Sequence, residues 1–101
     1  MEEFQIIENC LMVKLPEEIY HHKSVFICEQ TDWYIVEKKV NHVVFDFEDT
    51  RFMDSSGIGI LMGRYKKISC FGGKVYALHP DRQIRKILCM SGLNKYVEIV
   101  D

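Results

Sequence analysis

Short apolar runs alternate along this chain with longer segments of helical spacing, and this alternation constrains the fold more than any other feature. The apolar runs, each predicted to be a strand, cover residues 4–7, 11–15, 43–47, 75–78 and 96–100. Helical spacing extends from about residue 22 to 39, from 55 to about 70, and from 80 to 92. Strands joined through a helix run parallel, with right-handed crossovers. The order β-β-α-β-α-β-α-β therefore predicts an α/β fold, with helices packed against a mixed sheet of four or five strands.

Three of the strands allow more detailed predictions. The first two strands flank a turn at Glu8-Asn9 and are expected to form an antiparallel hairpin. The run at residues 43–47 is almost continuously apolar, which is typical of a central strand buried on both faces. Residues 48–54, which follow it, are expected to form a polar loop.

Length and composition favour one domain, residues 1–101, with one core. The chain has 101 residues, of which 48% are hydrophobic and 28% are charged, an ordinary balance for a soluble domain. No apolar run approaches the roughly 18 residues that a membrane span needs. The start, Met1-Glu2-Glu3, lacks the basic residues that begin a signal peptide. We therefore expect a cytoplasmic protein that does not enter a membrane.

The charges are divided unevenly along the chain. Residues 1–54 contain twelve acidic and five basic residues, whereas residues 55–101 contain eight basic and three acidic ones. Most of the positive excess comes from Arg64, Lys66, Lys67, Arg82, Arg85 and Lys86. Because the net charge is −2, a general nucleic-acid binder is not expected. The basic residues either lie on solvated helix faces or form a patch that meets an acidic partner.

The cysteines and histidines indicate neither a metal site nor a disulfide framework. The four cysteines stand 18, 42 and 19 residues apart, without a C-x-x-C pair: Cys10, Cys28, Cys70 and Cys89. We expect reduced thiols that are buried or half-buried. The adjacent His21 and His22 would point about 100° apart on a helix, so they are poorly placed to share one ion. No metal and no other cofactor is expected.

The first predicted helix carries two apolar stripes. Ile27, Thr31 and Ile35 recur at every fourth position and should face the sheet. A second stripe lies on the side that should face water: Val25, Phe26, Trp33 and Val36. Such a patch usually marks a contact surface. The alternatives are a longer helix packed on both sides and a helical register different from the one assumed here.

The start of the second predicted helix, Asp54-Ser55-Ser56-Gly57, is the most informative stretch. A serine at this position lies at the positive end of the helix dipole, near unpaired backbone N–H groups. These groups would stabilise an added phosphate, so the junction suits a phosphoacceptor. The same residue types are also preferred N-caps, so capping alone is the alternative.

Two further observations concern this helix. Gly59 and Gly63 lie four residues apart on one flank, which leaves a smooth surface where another backbone can approach. A nucleophilic Ser55 has less support, because the stretch lacks G-x-S-x-G and no feature places a histidine beside it. We therefore expect a binding protein without catalytic residues.

Four stretches occur in order over nearly the whole chain. They are Glu18-Ile19 leading to His21-His22, then Phe45-Asp46-Phe47, then Phe52-Met53-Asp54-Ser55-Ser56-Gly57-Ile58-Gly59 continuing through Gly63-Arg64-Tyr65-Lys66, and finally Met90-Ser91-Gly92-Leu93. Together they resemble the STAS domain family, and within it the bacterial anti-sigma factor antagonists.

The resemblance implies a regulatory protein without intrinsic catalysis. In that family the first serine of the Asp-Ser-Ser/Thr-Gly segment, Ser55 here, is phosphorylated by an anti-sigma factor that is also a serine kinase. The unphosphorylated form binds the anti-sigma factor and frees the sigma factor, whereas the phosphorylated form is released and a serine phosphatase restores it. The residues implied in partner binding are Asp54, Ser55, Ser56, Gly57, Gly59 and Gly63.

Two positions depart from the family pattern. The family commonly has Gly-Glu-Ile/Leu-Asp after the second strand, with the acid near the phosphoserine. Here Glu17 stands in place of the glycine and Tyr20 in place of the aspartate, which points to a diverged pair of partners. The alternative function is a STAS scaffold or interaction subunit of a sensory or transporter complex, without a phosphate switch. The apolar stripe at Phe26 and Trp33 would favour that alternative.

Overall fold

The structure is a computed structural model that describes residues 3–101, and its elements follow the predicted alternation. Over these residues the strands are β1 (Glu3–Ile7), β2 (Cys10–Lys14), β3 (Glu18–Ile19), β4 (His42–Asp46), β5 (Phe52–Met53), β6 (Val75–Leu78) and β7 (Glu98–Val100). The helices are α1 (His21–Glu37), α2 (Ser55–Ser69) and α3 (Arg82–Met90), with a 3₁₀ turn at Leu93–Lys95. Each predicted strand and helix is confirmed with bounds within two residues of those expected.

Five of the strands form one mixed sheet in the order β1-β2-β4-β6-β7. β1 pairs antiparallel with β2, and every other neighbouring pair in this sheet is parallel. One row of the register crosses all five strands through Phe4, Val13, Phe45, Ala77 and Ile99. The predicted hairpin and the predicted mixed sheet are therefore confirmed.

The helices cover one face of this sheet. Val43 and Phe45 of β4 are fully buried, whereas Val44 between them is only half-buried. β2 and β6 alternate in the same way, and the buried residues of all three helices join the same core as the buried strand residues. Val44 lies instead beside Met12 and Tyr76 on the opposite face. The prediction that this strand is buried on both faces is wrong, because its apolar residues are divided between a core face and an open face.

A second sheet consists of β3 and β5 alone, and it was not predicted. These two-residue strands pair in parallel, with Glu18 opposite Phe52 and Ile19 opposite Met53. β5 occupies the end of the segment expected to be a polar loop. Strands this short carry no detectable periodicity, so the sequence pattern could not reveal them.

Left-handed glycines follow the last two helices. Gly72 has φ of 81° and Gly92 has φ of 80°, a conformation that glycine adopts without strain. After Gly92 comes the 3₁₀ turn, in which the N–H of Tyr96 donates to the carbonyl of Leu93 at 2.9 Å. The last strand therefore begins at Glu98, two residues later than expected. No helix between residues 3 and 101 is long and apolar enough to cross a membrane.

Candidate functional site

The start of α2 is fixed to the segment before α1 through the small sheet. The N–H of Asp54 donates to the carbonyl of Ile19 at 3.2 Å, one residue beyond the β3–β5 pairing. On the other side of β5, the N–H of Arg51 donates to the carbonyl of Glu17 at 2.8 Å. Backbone hydrogen bonds on both sides of β5 therefore help to set the position at which α2 begins.

Asp54 is the N-cap of α2. Its backbone is extended, and its carboxylate oxygen Oδ1 accepts a hydrogen bond from the Ser56 N–H at 2.9 Å. The Ser56 hydroxyl donates to the same oxygen. These two hydrogen bonds lower the pKa of Asp54, the hydroxyl bond contributing most, and the charge of His21 adds to the effect. The carboxylate is thus held in its ionised form at the start of the helix.

The two adjacent serines have different environments. Ser56 is half-buried and its hydroxyl is engaged by Asp54. Ser55 is exposed, and within the described residues its hydroxyl makes no hydrogen bond. Of the two hydroxyls, that of Ser55 is therefore the more accessible.

The three glycines of the predicted partner surface also differ. Gly57 is buried, and a Cβ built on it would lie 2.6 Å from the Sδ of Met53. Nothing lies within 4 Å of a Cβ built on Gly59 or Gly63. Gly57 thus lets α2 approach β5, whereas the other two glycines leave open space along one flank of α2.

An aromatic pair that the sequence patterns did not indicate lies beside this junction. Tyr20, the N-cap residue of α1, and Phe52 of β5 have ring centroids 5.3 Å apart. The Tyr20 hydroxyl donates to the Glu18 carboxylate at 3.4 Å. Desolvation raises the pKa of Tyr20, and the negative charge of Glu18 raises it further. The pairing of Glu18 with Phe52 across the small sheet is the contact that brings the two rings together.

The second stripe of α1 is exposed. Phe26 and Trp33 are 46% and 48% exposed, and Val25 and Val36 are also exposed. The alternative of a helix packed on both sides is therefore wrong within the described residues. The buried stripe of α1 is the predicted one, with Ile27, Thr31 and Ile35 facing the core.

One basic residue is not on a solvated face. Arg64 is only 7% exposed, and its Nε lies 3.0 Å from Oδ1 of Asp32 on α1. Lys67 approaches the other oxygen of Asp32 at 3.8 Å. Arg64 therefore connects α2 to α1, which corrects its assignment to a solvated face. The remaining bases of that group are half-buried or exposed: Lys66, Lys67, Arg82, Arg85 and Lys86.

The cysteines are all free, and their exposure differs from one to the next. Cys10 and Cys28 are partly buried, as expected. Cys70 and Cys89 are exposed, so the expectation of burial is wrong for these two, which lie at the ends of α2 and α3. Between residues 3 and 101, no group of three His, Cys, Asp or Glu side chains is arranged to hold a metal ion.

The comparisons with known proteins agree with this architecture. A model of the STAS domain family matches residues 3–101. The anti-sigma F factor antagonist of Paenibacillus polymyxa is 37% identical over 91 residues, covering 90% of this chain and 78% of the relative. The solved structure of the anti-sigma factor antagonist SpoIIAA in its unphosphorylated form has a TM-score of 0.90 and 25% identity, over 100% of this chain and 89% of that one. The phosphorylated form of SpoIIAA, a Bacillus cell fate determinant, has a TM-score of 0.82 and 25% identity, over 100% of this chain and 92% of that one. These relatives are regulatory proteins rather than enzymes, and this chain belongs to the STAS domain family, among its anti-sigma factor antagonists.

Proposed function

We propose that this chain binds an anti-sigma factor when unphosphorylated and releases it when Ser55 is phosphorylated, and thereby regulates sigma-factor-dependent transcription. The observation that carries the proposal is the exposed Ser55 hydroxyl at the first position of α2, which makes no hydrogen bond to residues 3–101. The adjacent Ser56 hydroxyl is occupied by Asp54, so the two serines are not equivalent acceptors. SpoIIAA has been solved in an unphosphorylated and a phosphorylated form, which supports a phosphorylation switch by similarity.

A phosphate on Ser55 would change binding more than folding. It adds about −1.5 to −2 charges at neutral pH, next to the ionised Asp54 on an exposed surface. The N-terminus of α2 favours a negative charge, so the folded state tolerates the modification. A partner that covers Ser55 has to desolvate the phosphate, and a loss of only about 1.4 kcal/mol weakens binding tenfold. One modification can therefore reverse the interaction without unfolding the protein.

The proposed interface is the open flank of α2 around Ser55. Asp54, Ser55 and Ser56 form its centre, Gly59 and Gly63 allow close approach along α2, and the buried Gly57 sets the helix position beneath them. The proposed partners are an anti-sigma factor with serine kinase activity and a serine phosphatase, both met in the cytoplasm. This chain supplies no catalytic group, cofactor or nucleic-acid contact in the proposed cycle, and residues 1–101 act as one domain.

The direct test is a pull-down from the native lysate with three baits, the wild type, Ser55→Ala and Ser55→Asp, read by mass spectrometry. We expect a kinase-like anti-sigma factor on the wild-type and Ser55→Ala baits, and its loss from Ser55→Asp. Ser56→Asp is not an equivalent control, because it changes the cap. Identical sets of proteins on all three baits would contradict the switch.

A second candidate is a STAS scaffold role, and the exposed stripe of α1 favours it. Phe26 and Trp33 present exposed apolar surface on α1. In that case the protein would form a stable oligomer or complex through α1, and Trp33→Ala would disrupt it while Ser55→Asp would not. Light scattering on these two variants separates the scaffold role from the switch.

A further inference from the structure

We propose that Tyr20 and Phe52 form an aromatic contact surface beside Ser55, and that this surface takes a basic side chain of the protein that binds the Ser55 face. The inference rests on the proposed function, because it assigns a further contact to the same partner. Tyr20 and Phe52 would then help to decide which partner is bound.

The rings of Tyr20 and Phe52, called the platform from here on, lie together at the surface of the protein. The ring centroids of Tyr20 and Phe52 are 5.3 Å apart, and the side chains are 41% and 39% exposed. In β5, Met53 points into the core at 3% exposure, so Phe52 points outward by strand alternation. Two aromatic rings held together at the surface form a patch of the type that marks protein contacts.

The platform is continuous with the proposed Ser55 interface. Phe52 lies three residues before Ser55, and the Asp54 N–H is hydrogen-bonded to Ile19, the residue before Tyr20. Backbone hydrogen bonds on both sides of β5 hold this arrangement, including that from the Phe52 N–H to the Glu17 carbonyl at 3.2 Å. A partner that covers Ser55 therefore meets the two rings without any rearrangement of this chain.

The carboxylates around the rings favour a cation, because Arg51, the base next to Phe52 in the sequence, donates to the Glu48 carbonyl and lies 3.9 Å from Asp81 instead. Glu17 and Glu18 are exposed next to the pair, the Glu18 carboxylate accepts the Tyr20 hydroxyl, and Asp54 lies at the adjacent helix start. A guanidinium or ammonium group is attracted both to an aromatic face and to a neighbouring carboxylate. The Glu18 carboxylate has the sign of charge that a basic side chain needs.

The test uses the partner that the wild-type and Ser55→Ala baits retain, purified and titrated against variants of the full chain by calorimetry. We expect Tyr20→Ala and Phe52→Ala each to weaken binding by about tenfold. The double variant should lose less affinity than the product of the two single losses, because the two rings act together. Glu18→Gln should weaken binding more at low than at high salt. Tyr20→Phe keeps the ring and should bind within about threefold of the wild type. The matched control is Phe71→Ala, because Phe71 is 57% exposed at the other end of α2.

Two outcomes would overturn the inference in distinguishable ways. If Tyr20→Ala and Phe52→Ala bind like the wild type while Ser55→Asp still releases the partner, the platform is wrong and the switch stands. If no retained partner depends on Ser55, the proposed function fails and this inference fails with it. Thermal melting of each variant shows whether a loss of binding reflects loss of the fold.

A second experiment is photo-crosslinking. A benzophenone amino acid at position 20 should crosslink to the partner, and one at position 71 should not.

Discussion

Helices α2 and α3 start in the same way but differ in what their first turns do. Both have an aspartate N-cap beyond the carboxyl end of a parallel strand: Asp54 accepts from the Ser56 N–H at 2.9 Å, and Asp81 accepts from the Ile84 N–H at 2.8 Å. Three residues after the cap, α3 has the fully buried Ile84, whereas α2 has Gly57. The space that a side chain at Gly57 would fill is occupied by Met53 of β5.

The difference also extends to the first helical residue and its surroundings. α3 begins with Arg82, and its cap Asp81 lies 3.9 Å from the guanidinium of Arg51. α2 begins with Ser55, whose hydroxyl is unengaged within the described residues. The start of α3 thus has two arginines, Arg51 and Arg82, next to its cap, and it contributes Ile84 to the core. The other is bound to a small sheet and presents a hydroxyl, so of these two starts the second suits a charge switch.

The largest expected effect is at the core position of α3. Ile84→Ala should lower the free energy of unfolding by about 2–5 kcal/mol, because it removes a fully buried side chain from the core. Urea denaturation followed by circular dichroism measures this loss. A cost below about 1 kcal/mol would mean that the first turn of α3 is not a core element, and the contrast with α2 would fail.

The corresponding substitution in α2 should act through crowding. Gly57→Ala places a methyl group 2.6 Å from the Met53 Sδ, and we expect a cost of about 1–3 kcal/mol despite the better helix propensity of alanine. The same denaturation measurement applies. A stability gain would show that the Met53 side chain repacks at little cost and that Gly57 is not needed at the start of α2.

Gly59→Ala should separate stability from binding. The new methyl group enters open space, so the free energy of unfolding should rise by about 0.5–1 kcal/mol. Binding to the partner retained by the wild-type bait should nevertheless weaken, because the methyl group obstructs close approach of another backbone. Unchanged affinity in the same titration would place Gly59 outside the interface.

The smallest expected effect concerns the cap of α2 and its pH dependence. Asp54→Ala should lower the melting temperature by a few degrees at neutral pH, because the Ser56 N–H loses its acceptor. The pKa of Asp54 is lower in the folded state, so its stabilising effect is present above the ordinary aspartate pKa and is lost as the pH falls through the lowered value. The difference from the wild type should therefore shrink below about pH 4.

Asp54→Asn is the control for that experiment, since asparagine caps a helix without a titrating charge. It should keep most of the melting temperature at neutral pH and reduce the acid dependence. A difference between wild type and Asp54→Ala that stays constant down to pH 3, about one unit below the usual aspartate pKa, would show that ionisation of Asp54 does not contribute.

The sequence predicts those parts of the molecule that depend on local pattern. The eight elements with detectable periodicity, the capping Asp54 and the exposed stripe at Phe26 and Trp33 were all expected, and the structure agrees. The family and its fold were recognised from four ordered stretches and are confirmed. Phosphorylation at Ser55 and its role in partner binding stay predictions.

What the sequence did not predict depends on contacts between distant residues. Tyr20 and Phe52 meet only because two-residue strands pair across more than thirty positions of the chain. Arg64 is buried and its Nε lies 3.0 Å from Asp32 on another helix, whereas its sequence neighbourhood resembles a solvated face. Such contacts are set by tertiary packing, and neither periodicity nor composition reports them.

The most direct test of the central claim is to place phosphoserine itself at position 55 by genetic code expansion, and at position 82 as the control. Position 82 is the equivalent first residue of α3, so both phosphates lie at a helix N-terminus behind an aspartate cap. Affinity for the retained partner and melting temperature are measured for each protein. Our account predicts that phosphoserine at 55 weakens binding by at least about tenfold with little change in melting temperature, and that phosphoserine at 82 leaves binding unchanged. Equal binding by the unmodified protein and the protein phosphorylated at 55 would contradict the account.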